Sequence, residues 1–309
     1  MTTRTPIGFH PGELDVQRQA GVTDDAARLV RMLAPARLAG GLAAFLARRE
    51  FAVLTARDEH GRLWTSPLLG PPGFLDGHGT TLDVHGRPAD TDPLSAPPTG
   101  QPVGLIAVEF AIRRRLRVNG TLTAAGRHGM TVDVDQAYGN CPSYIQQRVL
   151  EPVAGITPAA TGRESDSLTP DQQAFVRGVD TFFLGTVHPT RGADASHKGG
   201  RPGFVRTDGP DLWWPDYAGN NMFNSLGNIA VDPEAALLFV DLATGSTLHL
   251  SGTAELEWIA PGSAGDDDGT GRRVRFHPAH VVEAAPLAVR SGDVLPSPHN
   301  PPVSPATQR

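Results

Sequence analysis

Ser66-Pro-Leu-Leu-Gly70-Pro-Pro72-Gly-Phe-Leu75 and Ser196-His-Lys-Gly-Gly200-Arg-Pro202-Gly-Phe-Val205 are one ten-residue pattern written twice, 130 positions apart, with five identities. Leu82 falls on Leu212 at the same offset. At an offset of 132, Leu105-Ile-Ala-Val108-Glu109 falls on Leu237-Leu-Phe-Val240-Asp241, and Leu116, Gly120 and Thr121 fall on Leu248, Gly252 and Thr253. Two blocks that match in order and at nearly one offset exceed what a Gly/Pro-rich composition produces by chance. A small loop insertion accounts for the change of offset. The period is too long for a solenoid, and two copies of one module read as a fused pseudo-dimer.

Outward from these blocks the chain reads as short strands and turns. Phe51–Thr55, Trp64–Leu75, Thr80–Val84, Val103–Phe110, Arg114–Val118 and Met130–Val134 are the expected strands of the first copy. Thr181–Val187, Gly203–Arg206, Leu212–Trp214, Ala236–Asp241, Thr247–Ser251 and Val274–Glu283 are those of the second. Residues 1–20 read as polar, with a turn at His10-Pro11-Gly12. Short helices are expected near Ala26–Leu33, over Pro35–Arg48 and from Pro170 to about Gly178, where Thr169 and Asp171 mark the start. The expected domains are a helical segment over 1–48, a first split barrel over 49–150, a linker over 151–168, a second split barrel over 169–290 and a disordered tail over 291–309. The fold class is therefore mainly β (α+β), two tandem split β-barrels with short flanking helices.

Composition narrows the function. The chain has 309 residues, 35 Gly, 28 Pro and a net charge of −6, which argues against a generic nucleic-acid surface. The lone Cys141 excludes an internal disulfide and a cysteine-rich metal site, and the scattered histidines give no metal-ligand spacing, so no metal is expected. No leader is visible at the start, and Leu38–Ala47 is too short to cross a bilayer. The expected location is the cytoplasm, with no membrane partner.

The two copies differ where chemistry would sit. Lys198, Arg201 and Arg206 of the second copy stand opposite Leu68, Pro71 and Asp76 of the first. Arginine presents a planar fork that suits phosphate, so the contrast marks the second copy as the anion-binding one. Downstream, Tyr217-Ala-Gly-Asn-Asn-Met-Phe-Asn-Ser-Leu-Gly-Asn228 reads as a polar turn entering a short helix. Free backbone N–H groups and Asn220, Asn221 and Asn224 are the anion donors expected there.

This arrangement resembles the pyridoxamine 5'-phosphate oxidase-like flavoproteins, split barrels that bind FMN at a dimer interface. In that resemblance Arg201 and Arg206 match the basic pair on the FMN phosphate, and Trp213–Asp216 matches the strand beside the isoalloxazine. Asn220–Asn224 takes the place of a segment that usually carries an Arg-Lys pair. Arg114-Arg-Leu-Arg-Val-Asn-Gly120 is similar to an Arg-Gln-Val-Arg-Val-Glu-Gly strand, with Arg115 in the place of a flavin-touching Gln. Tyr138-Gly-Asn-Cys-Pro-Ser-Tyr-Ile-Gln146 resembles a Cys-Pro-x-Tyr-Ile element of related flavin-binding proteins. The opening Phe9–Gln17 and the Ala193–Gly200 run look like a bacterial subgroup of predicted flavin-nucleotide-binding proteins.

The resemblance implies FMN held by Ser196, Lys198, Arg201, Arg206, Trp214, Asp216, Asn220, Asn221 and Asn224 of the second copy. Arg115, Arg117, Tyr138, Asn140 and Tyr144 of the first copy would form the opposite wall. It also implies an FMN-dependent oxidoreductase acting on a small-molecule substrate, with a nicotinamide electron donor and a homodimer as further expectations. The alternatives are a deazaflavin or haem in the same barrel, or a carrier or sensor without turnover. No residue is singled out as catalytic. Arg275-Phe-His277 echoes an Arg-x-His substrate motif of the oxidases, but the accompanying substrate-phosphate set is missing.

Overall fold

A computed structural model describes residues 8–154 and 163–304. Two antiparallel sheets dominate it. The first contains β1 (Phe51–Arg57), β2 (Leu63–Leu69), β3 (Leu75–His78), β4 (Thr81–Val84), β5 (Pro102–Glu109), β6 (Arg114–Gly126) and β7 (Gly129–Gly139). Two short strands follow, β8 (Leu150–Pro152) and β9 (Arg163–Ser165). The second large sheet contains β10 (Thr181–His188), β11 (Gly192–Gly199), β12 (Arg206–Asp208), β13 (Asp211–Pro215), β14 (Glu234–Val240), β15 (Thr247–Trp258) and β16 (Arg272–Glu283). β17 (Val289–Ser291) pairs with β8, and β9 joins the edge of β16.

The strand orders are β2-β1-β5-β6-β7-β4-β3 and β11-β10-β14-β15-β16-β13-β12, so each strand of one sheet has a counterpart in the other. Each sheet curls around its own apolar core. Trp64, Phe74, Leu82 and Leu105 fill the first, and Phe182, Phe204, Trp214 and Phe239 fill the second. A third cluster joins the barrels, in which Phe51, Val53, Ile106 and Phe110 meet Phe183, Ala195, Leu238 and Val240. Glycine lets the two backbones touch at this seam. A Cβ on Gly104 would lie 2.7 Å from the Asp194 and Ala195 backbone, and one on Gly185 would lie 2.3 Å from Thr65 Oγ1.

The helices are α1 (Pro11–Gln19), α2 (Thr23–Ala27), α3 (Gly41–Leu46), α4 (Pro170–Gly178) and α5 (Asn224–Val231). The start of the chain is thus helical from Pro11, where sequence alone indicated only a turn. Pro11 opens α1 and the Glu13 side chain accepts from the His10 N–H, closing a reciprocal cap. The helix expected over Pro35–Arg48 shrinks to α3. Leu38 bridges to Gly79 instead, and Gly40 takes a positive φ of 53° ahead of the helix. The helix expected near Ala26–Leu33 divides into α2 and a 3-10 turn at Val30–Leu33.

Three further differences concern the second half. β11 was not foreseen as a strand, because Asp194, Ser196 and Lys198 break its apolar pattern. Gly203–Arg206, expected as a strand, is mostly a turn, and β12 begins at Arg206. The tail expected to be disordered over 291–309 is anchored at Ser297 and Asn300 within its described part, while 292–296 are exposed. Ser297 N–H and Asn300 Nδ2 donate to Gln146 Oε1 at 2.8 and 2.9 Å, and both residues are buried. Of the expected linker 151–168, positions 155–162 lie outside the described residues; β9 and part of β8 fall within the remainder.

α1 lies directly on α5. A Cβ on Gly12 would stand 2.3 Å from Gly227 O, whereas Gly41 has nothing within 4 Å. Gly12→Ala is expected to cost about 1–3 kcal/mol through overpacking against backbone. Thermal unfolding should show a lower Tm for Gly12→Ala and an unchanged or slightly raised Tm for Gly41→Ala.

Candidate functional site

β11 of the second barrel faces β6 of the first, and a cleft opens between them. Its volume is about 110 Å³, and it is open to solvent on one side. One wall carries Ser196, Lys198, Trp214, Asp216, Asn220, Asn221 and Asn224, and the other carries Arg115, Arg117, Asn140 and Tyr144. Strand alternation places Ser196 and Lys198 on one face of β11 and Arg115 and Arg117 on one face of β6.

Arg117 is buried and binds across the interface. Its Nη1 donates to Asp194 Oδ1 and Oδ2 at 2.9 and 2.8 Å, and its Nη2 donates to Ser196 Oγ at 2.7 Å. Burial opposes its charge, but Asp194 outweighs that and keeps the guanidinium protonated. Arg115 donates to His197 O at 3.0 Å and lies 3.1 Å from His197 Nδ1. Burial and the neighbouring Arg117 push Arg115 down to about 10. Burial, then Arg115, Arg148 and Lys198, push His197 well below its usual value, so it is neutral at pH 7. Lys198 is lowered by burial, against the pull of Asp216 at 3.6 Å. Asp216 also accepts from Arg272 Nε at 3.0 Å.

The mouth is shaped by strained backbone. Tyr144, Asn221 and Phe223 all have positive φ, at 67°, 62° and 58°. Tyr144 Oη donates to Ala218 O at 2.8 Å, and Asn220 Nδ2 donates to Asn140 Oδ1 at 2.9 Å, so the loop after β7 grips the turn after β13. Gly199 is required here, since its Cβ would fall 2.1 Å from Tyr144 O. Five cleft-lining residues carry buried polar atoms that lack a hydrogen-bond partner among the described residues: Arg115 Nε, Arg117 Nε, His197 Nε2, Trp214 Nε1 and Tyr217 Oη.

Three residues expected at the cofactor do not line this cleft. Arg201 is exposed in the turn after β11. Arg206 is buried on Asp267, donating to its Oδ1 and Oδ2 at 2.9 and 2.8 Å and stacking 4.7 Å over the Trp213 ring. The expected basic pair is therefore split, because the turn at 200–205 replaces the strand that would have aligned it and Asp267 neutralises Arg206. Tyr138 lies one layer behind the cleft, with its Oη 3.3 Å from Asn224 Oδ1. The Arg275 and His277 motif also lies elsewhere, paired with Glu257, Asp208 and Asp211.

His197, Tyr217, Phe223, Cys141 and Ser225 line the cleft without having been singled out as binding residues. Their adjacency in sequence to Ser196, Asp216, Asn224 and Asn140 was the available signal. The triplet Asp266-Asp267-Asp268 was a second missed signal. Asp268 accepts from Ala218 N at 2.6 Å while Asp267 holds Arg206, so this β15–β16 loop braces the same turn. Among the described residues no group of three or more His, Cys, Asp or Glu is placed to hold a metal ion, and no helix is long and apolar enough to cross a membrane.

The two walls and their strand order define an interface-site split barrel. Residues 168–264 match the family model described as pyridoxamine 5'-phosphate oxidase. No curated protein sequence matches the chain. Among solved structures, HupZ from Group A Streptococcus is similar at 16% identity, with 39% of this chain and 98% of that one covered and a TM-score of 0.30. General Stress Protein 26 from Bacillus anthracis is similar at 13% identity, covering 40% and 92%, with a TM-score of 0.28. HutZ, the haem storage protein from Vibrio cholerae, is similar at 11% identity, covering 43% and 97%, with a TM-score of 0.27.

Behind the cleft lies a small polar cavity lined by His10, Glu13, Tyr138, Asp194, Asn224 and Asn228, among others. Glu13 Oε1 accepts from Asn224 Nδ2 at 2.5 Å, tying α1 to the cleft wall. Burial pushes the Glu13 carboxyl from 4.5 up to about 7. Burial and the nearby His188 push His10 down to about 4. A raised carboxyl destabilises the native state as pH climbs from the unfolded value to the folded one. Glu13→Gln removes that loss, while His10 contributes equally to both proteins. The stability of the variant relative to wild type should rise by about 3 kcal/mol between pH 4.5 and 7, measured by urea unfolding at several pH values. A difference that stays flat would mean that Glu13 ionises as in the unfolded chain.

Proposed function

We propose that the cleft between the barrels binds FMN and that the protein is an FMN-dependent oxidoreductase for a small-molecule substrate. The observation that carries this reading is the set of five buried, unpartnered polar atoms on the cleft walls. Buried donors without partners are costly, and at least four of these atoms are donors. A flat ring system edged with nitrogen and oxygen acceptors offers them partners. Trp214, Tyr217 and Phe223 supply the aromatic lining.

Lys198 and Arg115 are the cleft cations that would hold negative charge, joined by the N-terminal turn of α5 with Asn224 and Ser225. Arg206 is left out of this assignment because Asp267 already neutralises it. When bound, FMN supplies hydride or electron transfer, with a nicotinamide cofactor as the proposed donor. The chain's residues orient it and tune its surroundings. Arg115 and Arg117 present fixed positive charge, neutral His197 lies against Arg115, and Tyr144 and Asn220 narrow the mouth.

The test is titration of the purified chain with FMN, followed by absorption and flavin fluorescence. Lys198→Ala should weaken FMN binding about 10- to 100-fold, the loss of one charge-assisted contact. Arg206→Gln should leave affinity within about threefold and lower Tm, since Arg206 pairs with Asp267 and stacks on Trp213 outside the cleft. The opposite pattern, or no binding by the wild type, overturns the assignment. Addition of NADH or NADPH should bleach the bound flavin and oxygen should restore it; a bound flavin that stays oxidised rejects the enzymatic reading and leaves a carrier or sensor.

A further inference from the structure

The matched strand orders imply a twin of the cleft, built from β2 of the first barrel and β15 of the second. The registers locate it. Ser196 pairs with Leu184 in the second barrel as Ser66 pairs with Leu54 in the first. Arg117 pairs with Ile106 as His249 pairs with Leu238. Ser66 and His249 therefore stand where Ser196 and Arg117 face each other across the open cleft.

In the twin, the chain itself comes between them. Ser66 Oγ donates to Asp92 Oδ1 at 2.5 Å, and His249 Nε2 lies 3.7 Å from Asp92 Oδ2. Asp92 and His249 are both buried, and Leu94 beside them is fully buried in the core of the first barrel. The Asp92 side chain also accepts from Leu94 N at 2.8 Å, and Thr91 Oγ1 accepts from Ala285 N of the other half at 3.1 Å. The position of Lys198 is taken by Leu68 and that of Trp214 by Val84, both buried.

The segment responsible is the β4–β5 connection. Its counterpart between β13 and β14 forms the polar turn and α5 that wall the open cleft. Pro88, Pro93, Pro97 and Pro98 interrupt the β4–β5 segment, and it contains no helix. Without a helix to stand beside the cleft, the loop folds into it.

We propose that the β4–β5 loop is a built-in plug that fills the twin cleft, anchored by Asp92, so that the pseudo-dimer holds one ligand per chain rather than two. The stoichiometry rests on the flavin reading above; the closure of the twin does not. Hydrogen exchange on the ligand-free chain tests closure directly. The amides of Leu94 and Ser95 should exchange as slowly as those of the barrel strands, and Asp92→Ala should speed them about 10- to 100-fold by leaving buried groups unpaired. If Asp92→Ala does not fold, Asp92→Asn, which keeps an acceptor, serves in its place with a smaller acceleration in the same direction. Fast exchange in the wild type overturns the plug. FMN titration should saturate at one equivalent per chain, and two equivalents overturn the proposal as well. Absence of any FMN binding rejects the flavin reading alone, and the exchange result still decides the plug.

Discussion

The buried ion pair between Arg117 and Asp194 is the contact on which the rest of the site depends. It links β6 of one barrel to β11 of the other, and both side chains are under 10% exposed. Ser196 Oγ accepts a further bond from Arg117, and Ser225 Oγ and Asn119 Nδ2 donate to Asp194, which leaves Arg117 Nε without a partner among the described residues. Losing one partner of such a pair typically costs 3–5 kcal/mol, because the other charge remains buried. The same pair separates the cleft from the polar cavity behind it. Arg117 lines the former and Asp194 the latter. Cleft geometry and barrel docking are therefore one structural problem.

The pair also shows how the two halves divide their work. The second barrel contributes the turn, α5 and the cation Lys198. The first contributes the arginine strand and the loop that grips the turn through Tyr144 and Asn140. Neither wall is complete alone. The apolar seam of Phe51, Ile106, Phe183 and Leu238 holds the walls in register, and glycines at its centre allow backbone contact. One strand order thus supports two unlike sites, since loops vary while the sheet that carries them does not.

Much of the fold was legible in the sequence because apolar alternation repeats at one offset. The matched blocks around Ser66 and Ser196 correspond in the structure to the same positions of β2 and β11. Eleven of the residues expected at the cofactor line one cleft, even though they come from segments far apart in the chain. The readings that missed share a cause. β11 carries polar side chains because one face is turned to an interface cleft rather than to solvent or core. α1 is short and polar because it buries glycine and Glu13 against α5. The Pro-rich tail is anchored at Ser297 and Asn300, because Gln146, distant in sequence, accepts their hydrogen bonds.

By itself the sequence determined most of the strands, the paired modules and the residue types able to bind an anion. These follow from local periodicity and from side-chain chemistry, which need no neighbours. Only the tertiary structure decided which cations line the cleft. Arg201 and Arg206 look equivalent to Lys198 along the chain, yet Asp267 consumes the charge of Arg206 and the turn carries Arg201 outward. Partner choice between residues 61 apart depends on where two loops meet, and no local pattern encodes that.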